Sequence, residues 1–145
     1  FRRIIRQDGV IYMEEIKKID NYGELLEYAT GKKCLVYEEF GSYQGDYIAI
    51  LQSEEGIEIW KGYYGSCSGC DWLEATKNWE TGTVSREEAL AYLKDTKPFS
   101  IVPKEKISIL VNSEDIKGFF PANTREDYDD WNWNDIKKML SNIKL

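Results

Sequence analysis

The segment from residue 46 to residue 64, DYIAILQSEEGIEIWKGYY, decides the fold of this chain. Its first part, Asp46–Gln52, is a nearly continuous apolar run, and its last part, Ile57–Tyr64, is rich in isoleucine and aromatic residues. Both compositions are typical of buried strands. Glu54–Gly56 lies between them and is typical of a tight turn. The segment therefore predicts two adjacent antiparallel strands, a central hairpin over residues 46–64.

Further strands are predicted on both sides of this hairpin. Cys34–Phe40 (CLVYEEF) is a strand-prone run that ends at a glycine. Phe99–Val102 lies between two prolines, and extended backbone is favoured before a proline. The run Ile107–Val111 (ISILV) fits a strand and a short buried helix equally well, because periodicity does not separate the two in so short a run.

Helices are predicted around the strands. Ser85 and Glu88 have the spacing of a capping box, which predicts a helix over Ser85–Thr96. A second helix is predicted after Asp20 or Asn21, and a third over Asp135–Ile143, where apolar residues recur on one face. Helices that flank a small antiparallel sheet indicate an α+β fold in a single domain.

The start of the chain raises a separate question about domain organisation. The chain has 145 residues, a length typical of one domain. Residues 1–12 (FRRIIRQDGVIY) precede Met13, and MEEIKKID reads like the start of a cytosolic protein. We therefore expect an N-terminal extension over residues 1–12 that is not needed for the fold, and a single domain over residues 13–145. The alternative is that the isoleucines of residues 1–12 build an added strand.

Composition and charge exclude several classes of function. There are 19 Lys and Arg residues against 26 Asp and Glu residues, a net charge of −7, and no histidine. The lack of histidine excludes Ser-His and Cys-His nucleophile pairs and zinc sites with histidine ligands. The negative charge disfavours phosphate backbones, so we expect no direct nucleic-acid partner. No apolar run approaches the roughly 20 residues of a membrane span, so we expect no membrane partner. Three cysteines do not make a closed disulfide framework, so we expect a reducing, cytoplasmic setting.

Two motifs rich in glycine and serine flank the predicted hairpin, GSYQGD at residues 41–46 and YGSCSGCD at residues 64–71. Antiparallel pairing brings the start of the first strand beside the end of the second, so the motifs meet at one sheet edge. This corner has two interpretations. It is a ligand-binding corner with exposed backbone N–H groups, or a pair of tight turns in which Asp46 and Asp71 accept backbone hydrogen bonds. As a ligand site it would comprise Ser42, Tyr43, Gln44, Asp46, Ser66, Cys67, Cys70 and Asp71.

The cysteines offer little chemistry of their own. Cys67 and Cys70 have the spacing of a redox dithiol, but the surrounding sequence lacks the βαβ pattern of a thioredoxin-like fold. A structural zinc site needs four ligands, and only Cys34 is left as a third thiol. We therefore expect no metal and no cofactor, and interpret the cysteines as small buried thiols or as a local disulfide formed outside the cell.

The two glycine-serine motifs together resemble a pattern of short uncharacterised proteins encoded by phages, archaeal viruses and prokaryotic mobile elements. The resemblance rests on Gly41–Asp46 and Tyr64–Asp71. It implies a viral or mobile-element setting for this chain. No activity comes with it.

The segment Arg125–Asp135 (REDYDDWNWND) is acidic and aromatic. Aromatic residues are enriched in interface hot spots, and a cluster of carboxylates steers association with basic surfaces. This combination predicts an interaction surface made of Asp127, Tyr128, Asp129, Asp130, Trp131 and Trp133. The alternative is the start of a helix, where acidic residues favour the N-terminus and the tryptophans pack inward.

No complete catalytic motif is present, since the sequence has no P-loop, no GxGxxG and no GxSxG. The sequence favours a small acidic interaction protein over an enzyme. We expect a virus- or mobile-element-encoded inhibitor or modulator of a host macromolecule, such as a nucleic-acid-processing or defence complex. Its protein partner would present a basic surface. The alternative is a small-ligand, metal-binding or catalytic protein with its site at the corner of Gly41–Asp46 and Gly65–Asp71.

Overall fold

In the computed structural model, residues 2–41, 44–65, 71–114, 116–120 and 133–143 are described. Their strands are β1 (Arg2–Gln7), β2 (Val10–Lys18), β3 (Lys33–Gly41), β4 (Gly45–Gln52), β5 (Gly56–Tyr64), β6 (Thr83–Ser85) and β7 (Ser100–Pro103). Their helices are α1 (Tyr22–Thr30), α2 (Trp72–Thr76), α3 (Arg86–Tyr92), α4 (Lys104–Asn112) and α5 (Trp133–Ser141), with a 3₁₀ turn at Ile116–Phe119. None of these helices is long and apolar enough to cross a bilayer.

The central sheet has four antiparallel strands in the order β3-β4-β5-β7. Strands β4 and β5 pair from Gly45 opposite Tyr64 to Gln52 opposite Ile57, which confirms the predicted hairpin. Helices flank this sheet, so the predicted α+β class is confirmed as well. The run Ile107–Val111, which fits a strand and a helix equally well in the sequence, lies within helix α4. Ile107 and Leu110 are buried in this helix, one turn apart.

Both faces of the central sheet are covered, because side chains alternate along each strand. Helices α1 and α3 cover one face, which we call the α1 face; α4 and α5 cover the other, the α4 face. The α1 face of β4 and β5 buries Tyr47, Ala49, Leu51 and Trp60. The α4 face buries Ile48, Ile50, Ile57 and Ile59.

Helices α1 and α3 begin where the local signals predict, whereas α5 begins at Trp133, two residues before the predicted start at Asp135. The Asn21 side chain accepts a hydrogen bond from the Glu24 N–H at the start of α1. At α3, the Ser85 side chain accepts from the Glu88 N–H, and the Glu88 carboxylate accepts from the Ser85 N–H. This reciprocal pair confirms the predicted capping box, although helix α3 ends at Tyr92.

The start of the chain forms a two-stranded ribbon, residues 2–18, which belongs to a second sheet of order β1-β2-β6. Asp8 and Gly9 have φ angles of 53° and 76°, as a tight two-residue hairpin turn requires. Only the far end of β2 pairs with β6, at Ile16–Lys18. Residues 2–7 thus form an added strand, which was the alternative to an extension that is not part of the fold. Whether the fold needs the first 12 residues stays a prediction.

Candidate functional site

The described residues of the two glycine-serine motifs lie at one end of the central sheet, where β3 and β5 end and β4 begins. Gly45 pairs with Gly41 on one side and with Tyr64 on the other. Gln44 is exposed beside this end of the sheet. The remaining predicted members of the corner, namely Ser42, Tyr43, Ser66, Cys67 and Cys70, lie outside the described residues.

Asp71 is a buried carboxylate with a structural role. Its Oδ1 accepts hydrogen bonds from the backbone N–H groups of Leu73 at 3.0 Å and Glu74 at 3.2 Å, which caps helix α2. The hydroxyl of Tyr22 also donates to Oδ1, and the N–H of Gly65 donates to Oδ2 at 2.8 Å. Because both oxygens already accept hydrogen bonds, this carboxylate holds the turn together, as the tight-turn interpretation of the corner expects of Asp71.

Asp46 and Asp71 lie on opposite faces of the central sheet. By strand alternation Asp46 shares the α4 face with Ile48. Asp71 is bonded to Tyr22, whose ring stacks on Tyr47 of the α1 face at a centroid distance of 4.9 Å. The two carboxylates therefore do not converge on a common site. A ligand site in the rest of the corner stays a prediction.

A cluster of aromatic rings fills the α1 face beside Asp71. The hydroxyls of Tyr47 and Tyr92 are hydrogen-bonded at 2.6 Å, and the ring of Trp72 lies 4.9 Å from that of Tyr92. Burial raises the pKa of Tyr22 and of Tyr47 far above the usual tyrosine range, and it raises the pKa of Tyr92 as well. These hydroxyls stay protonated at neutral pH, so they contribute packing and hydrogen bonds rather than a general base.

An ion pair on the α1 face joins the partly exposed side chain of Lys32 to the buried side chain of Glu58. Glu58 is only 5% exposed although it lies in the middle of β5. Its Oε2 lies 2.5 Å from Lys32 Nζ, and its Oε1 accepts a hydrogen bond from the indole N–H of Trp60 at 3.1 Å. Each carboxylate oxygen thus has a donor, which compensates for the loss of water around a buried charge.

Two surface depressions meet at this ion pair, and we call them together the Glu58 groove. Their volumes are about 880 Å³ and about 360 Å³. Both are lined by Thr30, Lys32 and Glu58; the larger one extends to Ile101 and the smaller one to Lys97. Lys32 is the more accessible member of the pair, since 37% of its side chain is exposed against 7% for Glu58. The arrangement suits binding better than catalysis, since Glu58 is already engaged as an acceptor.

The described residues provide no metal centre and no activated thiol. Among the ranges that the structure describes, no group of three Cys, Asp or Glu residues is placed to hold a metal ion. Burial raises the pKa of the Cys34 thiol to about 11, so it is protonated at neutral pH. Cys34 pairs with Leu51, at the end of β3 remote from the corner.

The predicted acidic and aromatic surface is only partly described. Asp127, Tyr128, Asp129, Asp130 and Trp131 lie outside the described residues. Trp133 is the first residue of α5 and is half-buried. Its ring lies 5.2 Å from that of Phe120, edge to face, and packs against the core of the α4 face. This placement matches the alternative interpretation, in which the tryptophan packs inward.

An exposed tryptophan that the sequence reasoning missed is Trp79, which is 75% exposed. It lies in a tight loop, residues 78–83, that we call the Trp79 loop. The Asn78 side chain accepts hydrogen bonds from the N–H groups of Glu80 at 2.9 Å and Thr81 at 3.1 Å. The N–H of Gly82 donates to the Asn78 carbonyl at 2.7 Å. The spacing of Asn78 and Gly82 was the available signal, because both residue types favour tight turns.

Comparison of the chain with protein-family models, with curated proteins and with solved structures finds no significant match.

Proposed function

We propose that this chain is a non-enzymatic interaction protein that inhibits or modulates a macromolecule by occupying a basic protein surface. The observation that carries the proposal is the display of Trp79 on a hydrogen-bonded loop. Tryptophan is the residue type most enriched in binding hot spots. A rigid loop also lowers the ordering cost of binding, because little conformational freedom is left to lose.

Charge supports a basic partner. The chain carries a net charge of −7, while residues 2–18 hold five Arg or Lys residues against three Asp or Glu residues. The remainder of the chain therefore carries −9. Glu80 lies directly beside Trp79 and is exposed. Such a surface attracts a basic partner over long range and makes association faster at low salt.

The setting of this activity follows from the sequence resemblance alone. The motifs Gly41–Asp46 and Tyr64–Asp71 resemble those of phage, archaeal-virus and mobile-element proteins. A host nucleic-acid-processing or defence complex is the kind of target that suits such a setting. We propose that the contact is with the protein component of the target and not with its nucleic acid.

The test is a quantitative pull-down from a prokaryotic host lysate, followed by affinity measurement with the purified partner. Trp79→Ala should weaken binding by about 30-fold, the equivalent of about 2 kcal/mol. Phe99→Ala is the matched control, because Phe99 is also exposed, at 55%, but lies outside the Trp79 loop. Both variants should melt within about 2 °C of the parent chain. Equal affinity of the parent and Trp79→Ala would remove the proposed anchor.

Binding of a small polar ligand in the Glu58 groove is the second candidate function. The ion pair of Lys32 and Glu58 at the meeting point of two depressions favours it. A ligand there should raise the melting temperature of the parent chain and not that of Lys32→Met. A ligand that stabilises both proteins equally would bind elsewhere.

A further inference from the structure

The ribbon of residues 2–18 displays an apolar surface on one of its faces. Residues opposite each other in an antiparallel pair share a face, and Ile4 pairs with Met13 while Arg6 pairs with Ile11. Ile4, Ile11 and Met13 are exposed at 65%, 61% and 59%. A contiguous set of large exposed apolar side chains indicates a surface that meets another protein.

The outer edge of β1 carries unpaired backbone groups. Within the described part of the chain, β1 pairs only with β2, at one end of the sheet order β1-β2-β6. The two-residue turn makes Gln7 and Val10 a hydrogen-bonded pair, so the N–H and C=O groups of Gln7 point toward β2. The direction alternates along the strand, so the residues at positions 6, 4 and 2 point these groups away from β2. These residues are Arg2, Ile4 and Arg6. Their side chains lie on the same face of the ribbon as Ile11 and Met13.

The charges on this edge are only partly compensated. Arg3 forms a salt bridge with Glu14 at 2.5 Å. Neither Arg2 nor Arg6 is in a salt bridge among the described residues. The ribbon thus combines open backbone groups with Arg2 and Arg6, which form no salt bridge among the described residues, and an apolar residue between them; Glu15 lies opposite Arg2 in β2.

We propose that the outer edge of β1 binds an extended acidic segment of another protein by strand addition. In an antiparallel addition, carboxylates of the segment lie opposite Arg2 and Arg6, and an apolar side chain lies opposite Ile4. Cross-strand pairs of opposite charge and of apolar residues stabilise such a sheet. The segment therefore has the pattern acidic-x-apolar-x-acidic, and its backbone supplies most of the affinity.

The same features disfavour two other occupants. In a second copy of this chain, the residues that turn their N–H and C=O outward must lie opposite each other. The register centred on Ile4 then sets Arg2 opposite Arg6, and like charges directly opposite are destabilising. Nucleic acid would meet Ile4 and Met13, whereas nucleic-acid interfaces are polar. This surface differs in position and in sign of charge from the Trp79 loop, so the inference does not depend on the proposed function.

The experiment titrates the full chain with a synthetic seven-residue peptide, Thr-Glu-Thr-Ile-Thr-Glu-Thr, capped at both ends, and follows the amide resonances of the protein. We expect the largest shifts at Arg2, Ile4 and Arg6. Replacing both peptide glutamates by glutamine, or testing the variant R2S/R6S, should weaken binding by about fivefold to tenfold. K94S/K106S is the matched control, since it removes the same charge from exposed lysines elsewhere and should bind as the parent does.

Two further peptides test the strand geometry. In the first peptide, the methylated backbone nitrogens are those that face β1, so the methyl groups block the hydrogen bonds to β1. In the second peptide, the methylated nitrogens are the alternate ones, which point away from β1. One methylated peptide should lose binding and the other should keep it. Equal affinity for the two methylated peptides would overturn the proposal, and so would shifts confined to residues other than Arg2, Ile4 and Arg6. It would also be overturned if the peptide failed to bind because the edge of β1 pairs with a second copy of the chain at the concentration used.

Discussion

The hydroxyl of Tyr22 donates a hydrogen bond to the carboxylate of Asp71, 49 residues later in the chain. The same hydroxyl accepts a hydrogen bond from the N–H of Leu73 at 2.9 Å. Through this pair of residues the start of α1 is fastened to the start of α2, and the N–H of Gly65 fastens the end of β5 to the same carboxylate. One buried acid thus joins three elements that are distant in sequence.

Removal of this hydroxyl should destabilise the fold. In Tyr22→Phe, Asp71 loses a donor and the N–H of Leu73 loses an acceptor, so the free energy of unfolding should fall by about 1–3 kcal/mol. Tyr63→Phe is the control, because Tyr63 is 70% exposed and its variant should change stability by less than about 0.5 kcal/mol. Urea denaturation measures both. Equal midpoints for the two variants would show that the Tyr22–Asp71 bond contributes nothing net.

The buried tyrosines predict a loss of stability at alkaline pH. Burial raises the pKa of Tyr22, Tyr47 and Tyr92 in the folded state, while in the unfolded state they titrate near pH 10. Below that pH both states hold these protons and stability is unaffected. Above it the unfolded state releases protons that the folded state keeps, so the free energy of unfolding falls. Urea midpoints between about pH 8 and pH 11 should fall less in Tyr47→Phe than in Tyr63→Phe; parallel curves would contradict the assignment.

Local signals explain what the sequence predicts correctly. The central hairpin and the Ser85 capping box depend on residues close together in the chain, and both are confirmed. The Lys32–Glu58 pair joins residues 26 apart, and composition does not indicate which lysine reaches a carboxylate on a buried strand. The sequence also does not predict that Asp71 lies on the α1 face of the central sheet, because its hydrogen bond with Tyr22 places it there and strand alternation does not.

The approach of Tyr47 to the backbone at Gly62 makes that glycine irreplaceable. A Cβ at position 62 would lie 2.4–2.5 Å from atoms of the Tyr47 side chain, which is fully buried. Gly62→Ala must displace this ring and its bond to Tyr92, so we expect a loss of about 2 kcal/mol or more. In the control Gly9→Ala, the φ of +76° is strained but nothing lies within 4 Å, so the loss should be about 1 kcal/mol. Denaturation midpoints in the reverse order would contradict this account.

The ion pair in the Glu58 groove should show strong coupling in a double-mutant cycle. Lys32→Met leaves a buried carboxylate with only the indole of Trp60 as donor, so it should cost about 1–3 kcal/mol. Lys32→Met combined with Glu58→Gln should cost less than the sum of the two single changes, because no unpaired charge remains. Chemical denaturation of the four proteins gives the coupling free energy. Additive costs would mean that the pair is not formed in solution.

Removal of residues 1–12 should leave the domain folded. The apolar side chains of this stretch are largely exposed, with Ile4 at 65% and Ile11 at 61%. The part of β2 that pairs with β6 is retained in a chain that begins at Met13. We expect the melting temperature to fall by no more than about 4 °C, the equivalent of about 1 kcal/mol. A larger fall in the melting temperature would show that the ribbon is part of the domain. Val84→Ala is the reference for such a fall, because Val84 is fully buried.

The two layers that cover the central sheet come from different ends of the chain. Helices α1 and α3 precede residue 93, whereas α4 and α5 follow residue 103. On a ribosome that adds roughly 5–20 residues per second, the strands and the first layer emerge roughly 2–8 s before the second layer is complete. For most of that interval α4 is the only part of the second layer that can cover the isoleucines at positions 48, 50, 57 and 59, and the nascent chain exposes part of an apolar sheet face to chaperones or to other nascent chains.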